Sequence, residues 1–131
     1  MSNTQRTEQE ERQISLTDVE WRIMRALWDL DAPTLGQVVK EVADVGWTRH
    51  AVSSFLKRLE MKGMVAVDAN RRPGRYRPLI SREQAQQSEA QSVLHKVYGG
   101  DLLLMVTNAV SSGQLSDQET QALIDLLQKG G

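Results

Sequence analysis

The chain has no cysteine, which excludes disulfides, thiolate metal sites and a cysteine nucleophile. Histidine is almost as scarce: there are two, His50 and His95, so a histidine metal cluster would need carboxylate help. They fall in separate predicted elements with no nucleophile signature beside them, which leaves a hydrolase nothing to be built on. The nine glycines are scattered at predicted helix ends and turns, so no phosphate-cradling glycine loop is present. No apolar run approaches the roughly 18 residues of a membrane span. The start, MSNTQRTEQEERQ, is polar and has no hydrophobic signal core. It reads as a disordered tail, residues 1–13, on a cytoplasmic protein. No enzyme activity, metal or cofactor is expected.

Net charge is also nearly absent, −1 over 131 residues, but the balance hides a pattern. Residues 1–46 carry five Lys/Arg and nine Asp/Glu, and residues 83–131 carry two against six. Residues 47–82 carry nine Lys/Arg against Glu60 and Asp68. Positive charge concentrated between acidic flanks points to a polyanion contact more than to solubility.

Helix starts are marked repeatedly. Thr17-Asp18-Val19-Glu20, Thr34-Leu35-Gly36-Gln37, Ser81-Arg82-Glu83-Gln84 and Ser116-Asp117-Gln118-Glu119 all have the spacing of a capping box. After the first, Trp21, Ile23, Met24, Leu27, Trp28 and Leu30 follow with helical period until Asp31-Ala32-Pro33. After the second come Leu35, Val38, Val39 and Val42, closed by Asp44-Val45-Gly46. A third helix is predicted from an N-cap at Thr48 to Gly63 at C′. Its apolar stripe is Val52, Phe55, Leu56 and Leu59, and Trp47 is expected to pack under its start. Such short connections predict a compact trihelical unit. The period then changes. Met64–Val67 and Arg75–Ile80 read as two strands around the turn Asn70-Arg71-Arg72-Pro73-Gly74, and Pro78 makes the second an edge.

From residue 81 a mostly polar helix turns apolar late, and Gly99-Gly100 breaks it. Asp101–Val110 is then apolar nearly all round. Such a helix must be covered on every side. A second copy of the chain is the simplest cover, with Val97, Leu102, Leu103, Met105, Val106, Val110, Leu123 and Leu127 as its candidate interface. The expected architecture is therefore mostly α with a small β-hairpin. A winged helix-turn-helix, residues 14–80, is followed by a helical dimerisation domain, residues 81–131.

Helix, helix, helix, hairpin is the winged order, in which the third helix enters the major groove and the hairpin lies along the neighbouring backbone. His50, Ser53, Ser54 and Lys57 repeat opposite the apolar stripe, as a groove-facing side requires. Arg49 and Arg58 flank that face, and Lys62, Arg71, Arg72 and Arg75 carry the basic strip onto the hairpin as candidate phosphate contacts. Either feature alone fits an ordinary solvated surface; their joint occurrence points to double-stranded DNA. A protein-interaction module that docks a partner helix on Leu102–Val110 is the alternative.

Three blocks in order also resemble a known family. They are Leu16–Trp28, similar to L-(S/T)-x-x-E-W-x-(I/V)-M-x-x-(I/L)-W; Trp47–Gly63, similar to W-(S/T)-x-x-T-V-x-(S/T)-x-L-x-R-L-x-x-K-G; and Lys96-Val97-Tyr98-Gly99-Gly100. Over Ile14–Lys129 the chain resembles the penicillinase-repressor (BlaI/MecI/CopY) transcriptional regulators. The resemblance implies a homodimeric repressor on palindromic operators, released by proteolysis through a membrane metalloprotease sensor. It brings Asn108-Ala109 onto the family's scissile position, where a bulky aromatic usually follows the Asn. Ala51 stands where the family often has Thr, and the cysteine-rich tail of the copper-responsive members is missing.

Overall fold

Six helices each start on a polar side chain that takes an orphan backbone N–H of the first turn. The computed structural model describes residues 14–130, and the tail expected at 1–13 lies outside the described residues. Helix α1 is Asp18–Asp29, capped by Thr17 in a reciprocal box with Glu20. Helix α2 is Leu35–Glu41, capped by Thr34 with Gln37, and a 3-10 turn, Ala43–Val45, ends at Gly46 in the left-handed region. Helix α3 is Arg49–Met61, with Thr48 Oγ1 accepting from the Ala51 N–H at 3.1 Å. Ser81 with Gln84 opens α4, Arg82–Tyr98. Asp101 caps α5, Leu102–Ser111, and Ser116 with Glu119 opens α6, Asp117–Gly130. All four capping boxes expected from the sequence form.

The Thr48 cap is the only side-chain cap on α3, so Thr48→Ala is expected to cost about 1 kcal/mol, measured by urea unfolding. Gly63 closes the same helix at φ +79° with no atom within 4 Å of an added Cβ. Its role is conformational rather than spatial.

Strands β1, Val65–Asp68, and β2, Arg75–Pro78, pair antiparallel, with Val65 opposite Pro78 and Asp68 opposite Arg75. Among the described residues the sheet has these two strands alone. The first strand is offset by one residue from the sequence expectation, and the second starts at Arg75 as expected but ends two residues early. The Met64 N–H still bonds back to the Leu59 carbonyl at the end of α3, so β1 starts one residue later. Pro78 has no N–H to donate, and β2 ends there. Leu79 nevertheless donates to the Met64 carbonyl at 2.8 Å, and Tyr76 donates to Pro33 in the α1–α2 loop at 2.9 Å. That second bond ties the hairpin to the helices.

The chain forms two compact units, one ending at Glu89 and one starting at Ala90, so the division falls inside α4. In the first unit Ile23, Met24, Leu27, Val38, Val42, Val52, Leu56, Leu59 and Val65 are fully buried. The expected stripes supply the core, with Trp21, Trp28, Leu35, Val39 and Phe55 partly buried at its edge. Phe55 is half-buried and meets Trp47 edge-on, ring centroids 5.1 Å apart. Trp21 and Trp28 likewise pack edge-on at 5.8 Å on the rim of the core. Trp28 Nε1 donates to the Ile80 carbonyl at 3.0 Å, and Arg82 stacks over its ring at 5.4 Å while pairing with Asp29. These contacts seat the first turn of α4 on α1.

The second unit is different in kind. No residue of α5 is buried, and Val97, Leu102, Leu103, Leu104, Val110, Ile124 and Leu126 are all exposed. Among the described residues no helix is long and apolar enough to cross a membrane.

Candidate nucleic-acid interface

Helix α3 carries two opposite faces because its apolar residues keep a helical period. Val52, Leu56 and Leu59 are sealed in the core, while Arg49, His50, Ser54, Lys57 and Arg58 are exposed and Ser53 is half-exposed. The solvent side thus presents two hydroxyls, an imidazole and three cations from one rigid element. Arg49 lies beside the first turn of α2, where its Nη1 would stand 3.6 Å from a Cβ added at Gly36.

At the hairpin tip Arg71 and Arg72 are exposed. Arg71 Nε sits 3.9 Å from the Asp68 carboxylate, whose other oxygen accepts the Asn70 N–H at 3.1 Å. Such an exposed pair is weak and leaves the guanidinium free to exchange partners. Arg75 is half-buried, and its Nη1 donates to the Ala32 carbonyl at 3.0 Å. One edge of its guanidinium is therefore engaged.

Lys62, a candidate phosphate contact, is engaged within the protein. Its ammonium donates to Glu20 Oε1 at 2.7 Å and reaches the Ser15 carbonyl at 3.4 Å. Glu20 is fully buried, and its second oxygen, Oε2, has no hydrogen-bond partner. Burial pushes the Glu20 carboxyl up. The hydrogen bond from Lys62, the Thr17 backbone N–H, the positive charge of Lys62 and the Thr17 hydroxyl outweigh it, in that order, and hold the group below its ordinary value. The Lys62 ammonium is thus the counter-ion of an internal carboxylate.

The other candidates lie in the second unit. Val97, Leu102, Leu103 and Val110 are exposed, Met105, Val106 and Leu123 are half-exposed, and the Leu127 side chain lies outside the described residues. Asn108 is exposed and Ala109 half-exposed, both inside α5, where the Asn108 carbonyl accepts the Ser112 N–H at 3.0 Å. Among the described residues no group of three or more His, Asp or Glu is placed to hold a metal.

One group of the site is not legible from sequence pattern alone. Glu20 is visible there only as a capping-box residue, and nothing local marks it as the partner of Lys62. Arg77 is exposed on the same strand face as Arg75. The two-residue strand period is the signal that joins them.

A protein-family model described as penicillinase repressor matches residues 16–129. The penicillinase repressor of Bacillus licheniformis is 27% identical over 115 residues, covering 87% of this chain and 90% of its own length. The methicillin resistance regulatory protein MecI of Staphylococcus aureus (strain N315) is 22% identical over 115 residues, covering 87% and 94%. Among solved structures, the DNA-binding protein BpsR of Bordetella bronchiseptica aligns with a TM-score of 0.47 and 22% identity, covering 95% of this chain and 82% of its own.

Proposed function

The chain belongs to the penicillinase repressor family, a family of DNA-binding transcriptional repressors and not of enzymes, and from that premise we propose that it acts as a homodimer on a palindromic operator. The observation that carries the reading is the two-sided α3: a sealed Val52/Leu56/Leu59 stripe backs a face of exposed His50, Ser54 and Lys57 with half-exposed Ser53. A duplex groove is a partner that needs hydroxyls for base edges and cations at the rim together. Arg49 and Arg58 flank the reading face, and Arg71, Arg72 and Arg75 extend the contact along the backbone. Lys62 holds the end of α3 through Glu20 rather than contacting phosphate.

A two-fold assembly places one α3 on each half-site, with half-site centres one helical turn or a multiple apart. The exposed leucines of α5 support the second copy as their cover. The proposal places the protein in the cytoplasm, with release by a membrane metalloprotease sensor as its regulatory step. Cleavage at Asn108–Ala109 would require local opening of α5, because the Asn108 carbonyl is held within the helix.

Selection of bound DNA from a random pool, followed by footprinting, tests site, symmetry and spacing together. With about eight phosphate contacts per dimer the log–log salt slope is expected near −7. Substituting Ser53 or Lys57 should cost ~1–3 kcal/mol at a read base pair and relax specificity there, while Arg71→Ala should weaken all sequences alike. Affinity indifferent to both salt and Arg71 would overturn the reading.

A further inference from the structure

The residues that lead into α1 are tied, one after another, to different parts of the winged unit. Thr17 caps α1, and Leu16 is buried in the core. The Ser15 carbonyl accepts from the Lys62 ammonium at 3.4 Å, and Lys62 is the C-cap of α3. The Ile14 N–H donates to Ser88 Oγ at 2.9 Å, and the same hydroxyl donates to the Ile14 carbonyl at 3.3 Å. Residues 14–17 thus bridge the end of α3 to the side of α4.

A serine inside a helix weakens it, and its hydroxyl ordinarily turns back on a carbonyl of the preceding turn. Ser88 sends its hydroxyl to another segment, where one group serves as both acceptor and donor. Arg82, Ala85 and Ser88 recur every third residue, so they share one side of α4. Arg82 meets Trp28 and Asp29 of α1, Ala85 is buried, and Ser88 meets Ile14. The division between the two compact units follows directly, between Glu89 and Ala90. Among the described residues Ser88 is the last of α4 whose side chain is hydrogen-bonded to the winged unit.

We propose that residues 14–17 are a coupling strap and that Ser88 is a positioning residue for half-site spacing, an inference that rests on the function proposed above. With the hydroxyl closed on Ile14, the seat of α4 is fixed to the end of α3. Each base pair inserted between two half-sites turns the second by roughly 35° and moves it by ~3.4 Å. A fixed seat cannot follow that displacement without strain, so a wrongly spaced operator is rejected. A loose seat follows it, and is ordered afresh on every operator at an entropic cost. Spacing selectivity is a difference of affinities, and Ser88 sets it without touching DNA.

Amide hydrogen exchange is measured on the full chain without DNA, for the parent, Ser88→Ala and Ser88→Thr. The Ile14 amide is expected to be protected in the parent. In Ser88→Ala that protection should fall about tenfold, the scale of one hydrogen bond. Residues 85–89 should exchange faster with it while circular dichroism stays that of the parent. Ser88→Thr keeps the hydroxyl and should keep the protection. The three chains are then titrated with operators whose half-sites lie one or two base pairs closer or further apart than in the site recovered by selection. The parent and Ser88→Thr should prefer the selected spacing by about tenfold or more, and Ser88→Ala by about threefold or less. An Ile14 amide unprotected in the parent, residues 85–89 unmoved when Ile14 opens, a parent indifferent to spacing, or a Ser88→Ala chain weakened equally at every spacing overturns the proposal. If no chain binds any DNA, the function proposed above fails and the spacing role with it, while the exchange data still decide the strap.

Discussion

A glutamate at Leu103 is expected to dissociate the assembly into monomers and to cost operator affinity two or more orders of magnitude. Leu103 is 75% exposed in the single chain, and Leu102 and Leu104 beside it are 54% and 45% exposed. A helix with this composition and no buried residue leaves a contiguous apolar surface in water, which monomeric proteins rarely tolerate. Covering one leucine yields about 1.5–3 kcal/mol. In a two-fold interface each substitution counts twice, so the loss is about 3–6 kcal/mol, or two to four decades in the dimer dissociation constant. The monomer's own helices should survive, because the side chain touches little within its protomer. Sedimentation equilibrium and operator binding are measured side by side, with circular dichroism as the control. A Leu103→Glu chain that sediments as the parent does would rule out α5 as the dimer seam.

What could be read from the sequence divides by distance along the chain. Capping boxes act within four residues, and all four form where their letters stand. The apolar stripe of α3 is a helical period, so its opposite polar face was legible as well. Strand limits were less so. Where β1 begins depends on the Met64 N–H bonding back to Leu59, and how far the pairing runs depends on Leu79 reaching Met64. Neither is a property of a local window.

The cations show the same division. Their concentration in residues 47–82 is plain in the composition, but their partners are not. Lys62 meets Glu20 across 42 positions and Arg82 stacks on Trp28 across 54. One cationic signal therefore covers three physical roles: solvated side chains on α3, an internal counter-ion at Lys62, and a helix anchor at Arg82. Only the tertiary packing separates them, because each role is defined by what lies opposite.

Lys62→Met is the substitution expected to damage the winged unit most for the least change in volume. It leaves the Glu20 carboxylate fully buried, with the Thr17 N–H at 2.9 Å on Oε1 and nothing on Oε2. Breaking a buried pair by removing one partner costs about 3–5 kcal/mol. Lys62 is 37% exposed, so water reaches the site in part and about 3 kcal/mol is the fitting figure. At ~4 °C per kcal/mol the melting midpoint should fall by about 12 °C. The pH dependence fixes the cause. In the parent the Glu20 carboxyl is held below its ordinary value, so its contribution is complete above the ordinary carboxylate range and is lost as pH falls through the native value. In the variant burial acts with less opposition, the carboxyl moves up, and protonation relieves the buried charge. The stability gap between parent and variant should therefore be widest near neutrality and narrow toward pH 4. Adding Glu20→Gln should recover much of the loss, since an amide carries no charge to be stranded. A gap under 1 kcal/mol at pH 7, or one that does not narrow in acid, would show that the pair does not hold the end of α3. At temperatures where Lys62→Met is folded its salt slope for DNA should equal the parent's, which separates a counter-ion from a phosphate contact.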